Sequence, residues 1–388
     1  MTTIAHLIAP ISFGGGESLL VNLLNQRKPG LQEIVISIYR SDTFNRMLEA
    51  SGVKHFELQE LDLGHGISKM AMAMRTPMTL LKLPYLLSIL RQEGVDLLHA
   101  HGYPGSLIGG VACRVSGVPG IYTHHFHRIK PSWVERTVLG WCYRGFEACT
   151  GVSEFVTDSM CRAFPTAAAR FRTIHNCVGS AFVNSKSDPE FMALRGERRA
   201  LFVQIARFSP FKNQLLVVEA LGRLAARDRS RIRVVFAGEG PERAAAMARA
   251  KILGLTEETH FLGFVPYERI PGLLACADFG LFPSDNEGFG IGAVECLAAG
   301  LPVLTLDNEL MREIVGDAGI RCPRDGLGEG FVALLNSNSD LRKRTLDWSR
   351  RFLPEPIKEK YLALYRSILP EGQIRSEVDC AWEKNDDP

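Results

Sequence analysis

The sequence predicts an α/β protein made of two doubly wound, Rossmann-like domains facing a central cleft. Three observations carry this. The chain has 388 residues, more than one hydrophobic core ordinarily serves. Short apolar runs alternate with helix-length amphipathic segments in both halves, as expected for parallel strands covered by helices. A polar stretch rich in turn formers, Asn176 to Gly196, separates the halves and includes Asn184-Ser-Lys-Ser-Asp-Pro189.

Taken in order, the first half predicts strands at Ile4–Ile11, Glu33–Ile38, Leu97–Ala100, Gly120–Thr123 and Ala148–Val152. The second half predicts strands at Ala200–Ala206, Ile232–Ala237, His260–Leu262, Phe279–Phe282 and Pro302–Thr305. Helices are expected near 213–226, 242–252, 267–276, 290–299 and 309–316. The resulting divisions are domains at 1–180 and 181–350, a helix at 351–371 packing back on the N-terminal domain, and a polar tail at 372–388. In such folds ligands gather at the carboxyl ends of the strands.

Composition narrows the function. With 46% hydrophobic and 23% charged residues the chain is an ordinary globular protein. A net charge of +2 argues against holding nucleic acid by phosphate neutralisation. Nine cysteines without a Cys-x-x-Cys pair fit reduced thiols in the cytosol. The N-terminus runs straight into a strand-like segment and does not resemble a signal peptide, and no apolar run reaches the roughly 20 residues of a membrane span. The expected location is the cytoplasm, with association at the inner face of the membrane in view. Lys69 to Arg91, Met/Leu-rich with four cations and no acid, and the aromatic Pro131 to Arg144 fit peripheral membrane contact through the N-terminal domain. Both also fit amphipathic helices packed on the sheet, and Pro77 and Pro84 interrupt the first.

The chemistry concentrates in the second half. Asp278 to Gly290 reads as a strand followed by a loop holding Gly288 and Gly290, and then a helix begins. A helix start directs N–H groups and a positive dipole end outward, a setting that suits a diphosphate. Glu287 and Glu295 flank this start. Were the interval wholly helical, the rise would separate them by about 12 Å. Carboxylate pairs acting on one glycosidic bond stand roughly 5 to 9.5 Å apart, so these two are expected to touch different parts of one long ligand. Read alone, Glu287 would be a cap and Glu295 a solvated helix residue. Arg207 and Lys212 flank a Ser-Pro turn where a strand ends, and paired cations there suit a leaving nucleoside diphosphate.

These motifs resemble the donor domain of the retaining glycosyltransferase family 4, also called glycosyl transferases group 1, with a GT-B fold. Its E-x7-E appears as Glu287 to Glu295, followed by Ala298-Ala-Gly-Leu-Pro-Val303. Its Arg/Lys pair appears as Arg207 and Lys212, its glycine turn as Gly238-Glu-Gly-Pro-Glu242, and its Leu-Gly-Phe-Val as Leu262 to Val265. The resemblance implies that Glu295 binds the ribose, that Glu287 binds the donor sugar or its phosphate, and that Arg207 and Lys212 hold the diphosphate. Gly238, Gly240, Val265, Gly288, Phe289 and Gly290 would line the nucleotide, the last three through backbone amides. It further implies that no metal or other cofactor is needed, with uridine expected over guanosine as the donor base.

In the first half, Gly14-Gly-Gly-Glu17 follows a strand and precedes a helix, but Leu19 stands where a dinucleotide loop needs its third glycine. The resemblance implies instead a Gly-Gly-x-Glu turn, with Gly14 and Gly15 across the cleft from the donor. Histidines cluster at two strand ends, His99-Ala-His101 and Thr123-His-His-Phe-His127. Alternation places His99 and His101 on one strand face. A metal site from imidazoles alone is disfavoured, since no carboxylate pair accompanies them. The family's Thr-x-His falls on Thr123-His124-His125, which implies His125 as the active-site histidine, with His124 and His127 as neighbours in register. Ser153, after the last strand of this half, is read as structural.

The expected activity is retaining transfer of a sugar from a nucleoside diphosphate to a glycan or lipid-linked acceptor, in cell-envelope polysaccharide or lipopolysaccharide synthesis. The alternatives are a nucleotide-sugar epimerase on the same fold and a non-catalytic nucleotide- or glycan-binding protein.

Overall fold

Two wholly parallel sheets organise the chain in this computed structural model, which describes residues 1–10, 14–59, 79–126, 131–195, 199–337 and 339–374. The chain divides into one unit of Met1–Asn176 together with residues from Pro354 onward, and a second of Cys177–Leu353. The boundary therefore falls after Asn176 rather than after residue 180. The last described helix, Pro354–Arg366, belongs to the first unit. Of the expected tail, 372–374 are described, and Thr2 Oγ1 donates to the Gln373 carbonyl at 2.6 Å.

Among the described residues the first unit has seven strands: β1 Thr2–Ile8, β2 Leu31–Ser37, β3 Lys54–Glu57, β4 Leu97–His101, β5 Gly120–His124, β6 Ala148–Gly151 and β7 Phe171–Thr173. Their order is β3-β2-β1-β4-β5-β6-β7. The described residues of the second unit form six: β8 Ala200–Ile205, β9 Ile232–Ala237, β10 Thr259–Gly263, β11 Phe279–Phe282, β12 Val303–Leu306 and β13 Gly319–Cys322, ordered β10-β9-β8-β11-β12-β13. In each unit the order reverses once, between β1 and β4 and between β8 and β11, which is where ligands bind in open parallel sheets.

The interior strands form because near-continuous apolar runs suit a sheet covered on both faces. β1 is buried along its whole length, and β8 and β9 pack Phe202, Val234 and Phe236 into one core with Leu281, Leu304 and Phe331. Three strands carried no signal that the sequence reading used: β3, β7 and β13. All are edge strands of three or four residues, and most of their positions stay partly exposed. The strand expected at Ile4–Ile11 starts earlier and ends at Ile8, because Pro10 cannot donate to a ladder. Among the described residues no helix is long and apolar enough to cross a membrane.

Candidate functional site

In the second unit the two loops at the switch point are tied to each other. The loop after β8 carries Arg207 and Lys212, and the loop after β11 carries Glu287. Lys212 Nζ pairs directly with the Glu287 carboxylate and lies 5.4 Å from the centre of the Phe282 ring. Asn213 clamps the two backbones together. Held in the left-handed region at φ 57°, it donates from Nδ2 to the Pro283 carbonyl at 2.7 Å and to Asp285 at 2.8 Å. Arg324 completes the clamp, donating to Asp285 at 2.8 Å and to Asn213 Oδ1 at 2.7 Å. Gln204 donates to the Lys212 carbonyl at 2.7 Å, and Gln214 to that of Arg207 at 3.1 Å. Arg207 itself is exposed.

Gly238 and Gly240 brace the cation loop from β9. Ala206 donates to the Ala237 carbonyl at 3.0 Å and Phe208 to that of Glu239 at 2.9 Å. The glycines are required by close approach: a Cβ at Gly238 (φ +145°) would stand 2.1 Å from the Ala206 carbonyl oxygen, and one at Gly240 (φ +154°) 2.2 Å from that of Phe208. Gly238 also donates to Gly263 of the Leu-Gly-Phe-Val run at 2.7 Å, tying in the segment that ends at the half-buried Val265.

The helix beyond the acidic loop spans only Ile291–Ala298, so residues 287–290 are loop and the interval between the two glutamates is not wholly helical. Gly290 caps it at φ +86°, where a Cβ would meet Met311 and Phe282, and no side chain caps the first turn. Gly288 is half-buried at the turn, while the Phe289 ring is buried and meets Phe352 edge-on at 5.6 Å. Glu295 is buried, not solvated, at 5% exposure. Burial pushes its carboxyl up to about 7, against the partly offsetting hydrogen bond from Tyr267. Such a group is poised to ionise when a ligand supplies hydrogen-bond donors.

In the first unit the histidines form part of a polar stripe across one buried sheet face. His6 on β1 is paired in register with His99 on β4, and His101 with Thr123 on β5. His99 and His101 stack with ring centres 4.0 Å apart. His99 is fully engaged, with Nδ1 on Tyr365 at 2.7 Å and Nε2 on Thr123 at 2.7 Å. His125 Nε2 lies 3.4 Å from His101 Nδ1, and His101 Nε2 lies 3.3 Å from His6 Nδ1. Burial lowers all four imidazoles, His125 to about 4. Possible ligand atoms of His6, His99 and His101 lie within 4.8 Å of one another. The hydrogen bonds just described account for that spacing.

His124 projects to the opposite face, its Nδ1 on the Tyr122 hydroxyl at 2.8 Å, whereas His125 joins the histidine stripe. His127, part of the same run, lies outside the described residues, as do Ile11–Phe13 and Lys69–Met78. Gly14 caps the helix Gly15–Leu24 without a side chain, and the Gly15 carbonyl accepts from Asn176 at 3.1 Å. Gly16 faces the His125 ring, and a Cβ there would stand 3.4 Å from it, in van der Waals contact. Ser153 is a helix cap, accepting from the Val156 amide at 3.1 Å.

Asn213, Asp285, Arg324 and Tyr267 were not read from the sequence. An asparagine directly before a helix is a cap signal and marks Asn213 in principle; the other three join the site only through the fold.

Known proteins agree with this layout. The family described as Glycosyltransferase Family 4 matches residues 48–181, and that described as Glycosyl transferases group 1 matches residues 189–345. The 2-deoxystreptamine glucosyltransferase of Streptomyces kanamyceticus is 28% identical over 232 residues, 55% of this chain and 60% of that protein, so the match spans less than two thirds of the relative. The GDP-mannose:cellobiosyl-diphosphopolyprenol alpha-mannosyltransferase of Komagataeibacter xylinus is 26% identical over 397 residues, 95% of this chain and 93% of that one. Anabaena HepE, solved with UDP and glucose, superposes with a TM-score of 0.76 at 18% identity, over 95% of this chain and all of that one, a likeness of fold. With one match on each sheet-bearing unit, the chain belongs to glycosyltransferase family 4 and has the GT-B fold.

Proposed function

We propose that this protein is a retaining glycosyltransferase that moves a sugar from a nucleoside diphosphate sugar to a glycan or lipid-linked acceptor in cell-envelope polysaccharide or lipopolysaccharide synthesis. The observation that carries the reading is the Lys212–Glu287 pair, held by the Asn213 clamp beside the uncapped start of Ile291–Ala298. The diphosphate sits at that helix start, with Arg207 and Lys212 taking the charge that builds on the leaving group. Lys212 exchanges Glu287 for phosphate oxygens, and the released carboxylate receives hydroxyls of the donor sugar. Glu295 takes the ribose hydroxyls, and this draws its carboxyl into the ionised form. No metal or organic cofactor enters this scheme.

Uridine is the proposed base, in line with the UDP bound by HepE, although the Komagataeibacter relative is named for GDP-mannose. His125 and the Gly14–Gly15 turn serve the transferred sugar and the acceptor side. The protein works in the cytoplasm at the inner face of the membrane. The helix Trp133–Tyr143 supports that placement by leaving Trp133, Val134, Val138 and Trp141 largely exposed.

The test is turnover with a panel of UDP and GDP sugars and lipid-linked acceptors, scored by acceptor-dependent release of the nucleoside diphosphate. Epimer formation from donor alone, or binding without any turnover, would replace this reading with one of the alternatives.

A further inference from the structure

A line of buried polar side chains runs from the C-terminal helix of the first unit to His125. Lys358, 1% exposed, donates from Nζ to both Glu33 oxygens at 2.6 Å and to the Leu23 carbonyl at 3.2 Å. Glu33 Oε1 lies 3.0 Å from His6 Nε2. His6 Nδ1 lies 3.3 Å from His101 Nε2, and His101 Nδ1 lies 3.4 Å from His125 Nε2. His125 Nδ1 is buried and, among the described residues, has no hydrogen-bond partner.

The polarity of every bond in this line follows from its first member. An ammonium group only donates, so it holds Glu33 as a carboxylate, which only accepts. Burial pushes the Glu33 carboxyl up, but Lys358 and His6 outweigh it and leave it below the ordinary range. His6 must therefore donate from Nε2. Burial keeps the ring neutral, so its Nδ1 is an acceptor. His101 must then donate from Nε2 and accept at Nδ1, and His125 must donate from Nε2. Among the described residues, the groups facing the line are His99, whose ring nitrogens are held by Tyr365 and Thr123, and Tyr361, which bonds Thr123. Neither reverses it.

We propose that Lys358, Glu33, His6 and His101 are positioning residues that fix the tautomer of His125, holding its proton on Nε2 and leaving the Nδ1 lone pair to accept a hydroxyl of the bound sugar or acceptor. The relay orders three neutral imidazoles without moving a net charge. Its functional consequence rests on His125 serving the reaction site; the tautomer itself does not.

The tautomers can be read without any reaction. Long-range proton–nitrogen correlation spectra of the full chain labelled with 15N-histidine, assigned through His101→Gln and His125→Gln, should show His6, His101 and His125 all protonated on Nε2 at neutral pH. A protonated Nδ1 on any of the three overturns the proposal. Glu33→Gln provides the perturbation. Lys358 will claim the new amide oxygen, which turns the amide N–H toward His6 Nε2 and reverses each bond down the line. His125 should then carry its proton on Nδ1, and turnover should fall about tenfold with the loss of one acceptor. A folded Glu33→Gln protein with unchanged His125 contradicts the relay, and should the variant not fold, the wild-type spectrum decides alone. Correct tautomers in a protein with no transferase turnover would leave the relay standing and remove the proposed function.

Discussion

The two units place polar groups at their switch points in opposite ways. In the second, charged side chains lie on loops and are held by backbone: Asn213 on Pro283, Gln204 on Lys212, and Gly238 against Ala206. In the first, neutral histidines lie on and beside the strands in the buried sheet face and are held by one another, from Glu33 to His125. On the proposed reading, loops carrying the exposed Arg207 and the half-buried Lys212 adapt to a diphosphate that enters and leaves. A buried imidazole line keeps one geometry and one protonation pattern, because each buried nitrogen that loses its partner costs about 1 to 3 kcal/mol.

The sharpest way to break this comparison is to remove the charged contacts. Lys212→Ala, Glu287→Ala and Arg207→Ala are each expected to lower turnover by about two to three orders of magnitude in steady-state assays. Lys212 and Glu287 touch, so their double variant should lose much less than the summed single effects. Additive losses would show that the pair does not act as a unit.

A second prediction uses backbone support. Gly240→Ala brings a methyl into the Phe208 carbonyl, and should destabilise the second unit by on the order of 2 kcal/mol in denaturant titration while leaving the histidine spectrum unchanged.

The third sets the two units against each other in pH. The buried histidines have folded-state pKa values below their unfolded ones, so their neutral forms favour folding above pH 6.5 and that contribution is lost as pH falls toward 4. Between pH 6.5 and 5, His125 alone should remove on the order of 2 kcal/mol. Glu295 behaves in the reverse sense. Its folded value of about 7 lies above the unfolded one, so its favourable contribution is present below pH 4.5 and is lost as pH rises through 7. Glu295→Gln should therefore raise stability at pH 8 by up to about 3 kcal/mol while weakening donor binding. Calorimetry at pH 5 and pH 8 checks both signs. The smallest expected effect is at the surface: Trp133→Ala should lower binding to anionic vesicles by only a few fold, about 1 kcal/mol.

What the sequence revealed follows the same division. Interior strands were legible because continuous burial writes apolar runs, as in Phe279–Phe282. Edge strands such as Gly-Ile-Arg-Cys at 319–322 were not, because half-exposed positions lack both a run and an alternation. The charged loops were legible as motifs, since Arg207, Lys212, Glu287 and Glu295 lie in short contiguous segments. The stripe was legible only in part. Alternation placed His99 and His101 on one face, and they do stack, but His6, Glu33 and Lys358 come from three distant segments. Their meeting is a property of strand register and of where the last helix packs.

The central claim, that the second unit is a nucleoside diphosphate site built on the Lys212–Glu287 pair, is tested most directly by thermal shift with UDP, GDP and their sugars. One of these nucleotides at about 100 times its Kd should stabilise the wild-type protein by about 2.7 kcal/mol, and the midpoint should barely move in Lys212→Ala. An equal shift in both proteins, or no shift with any nucleotide, would contradict it.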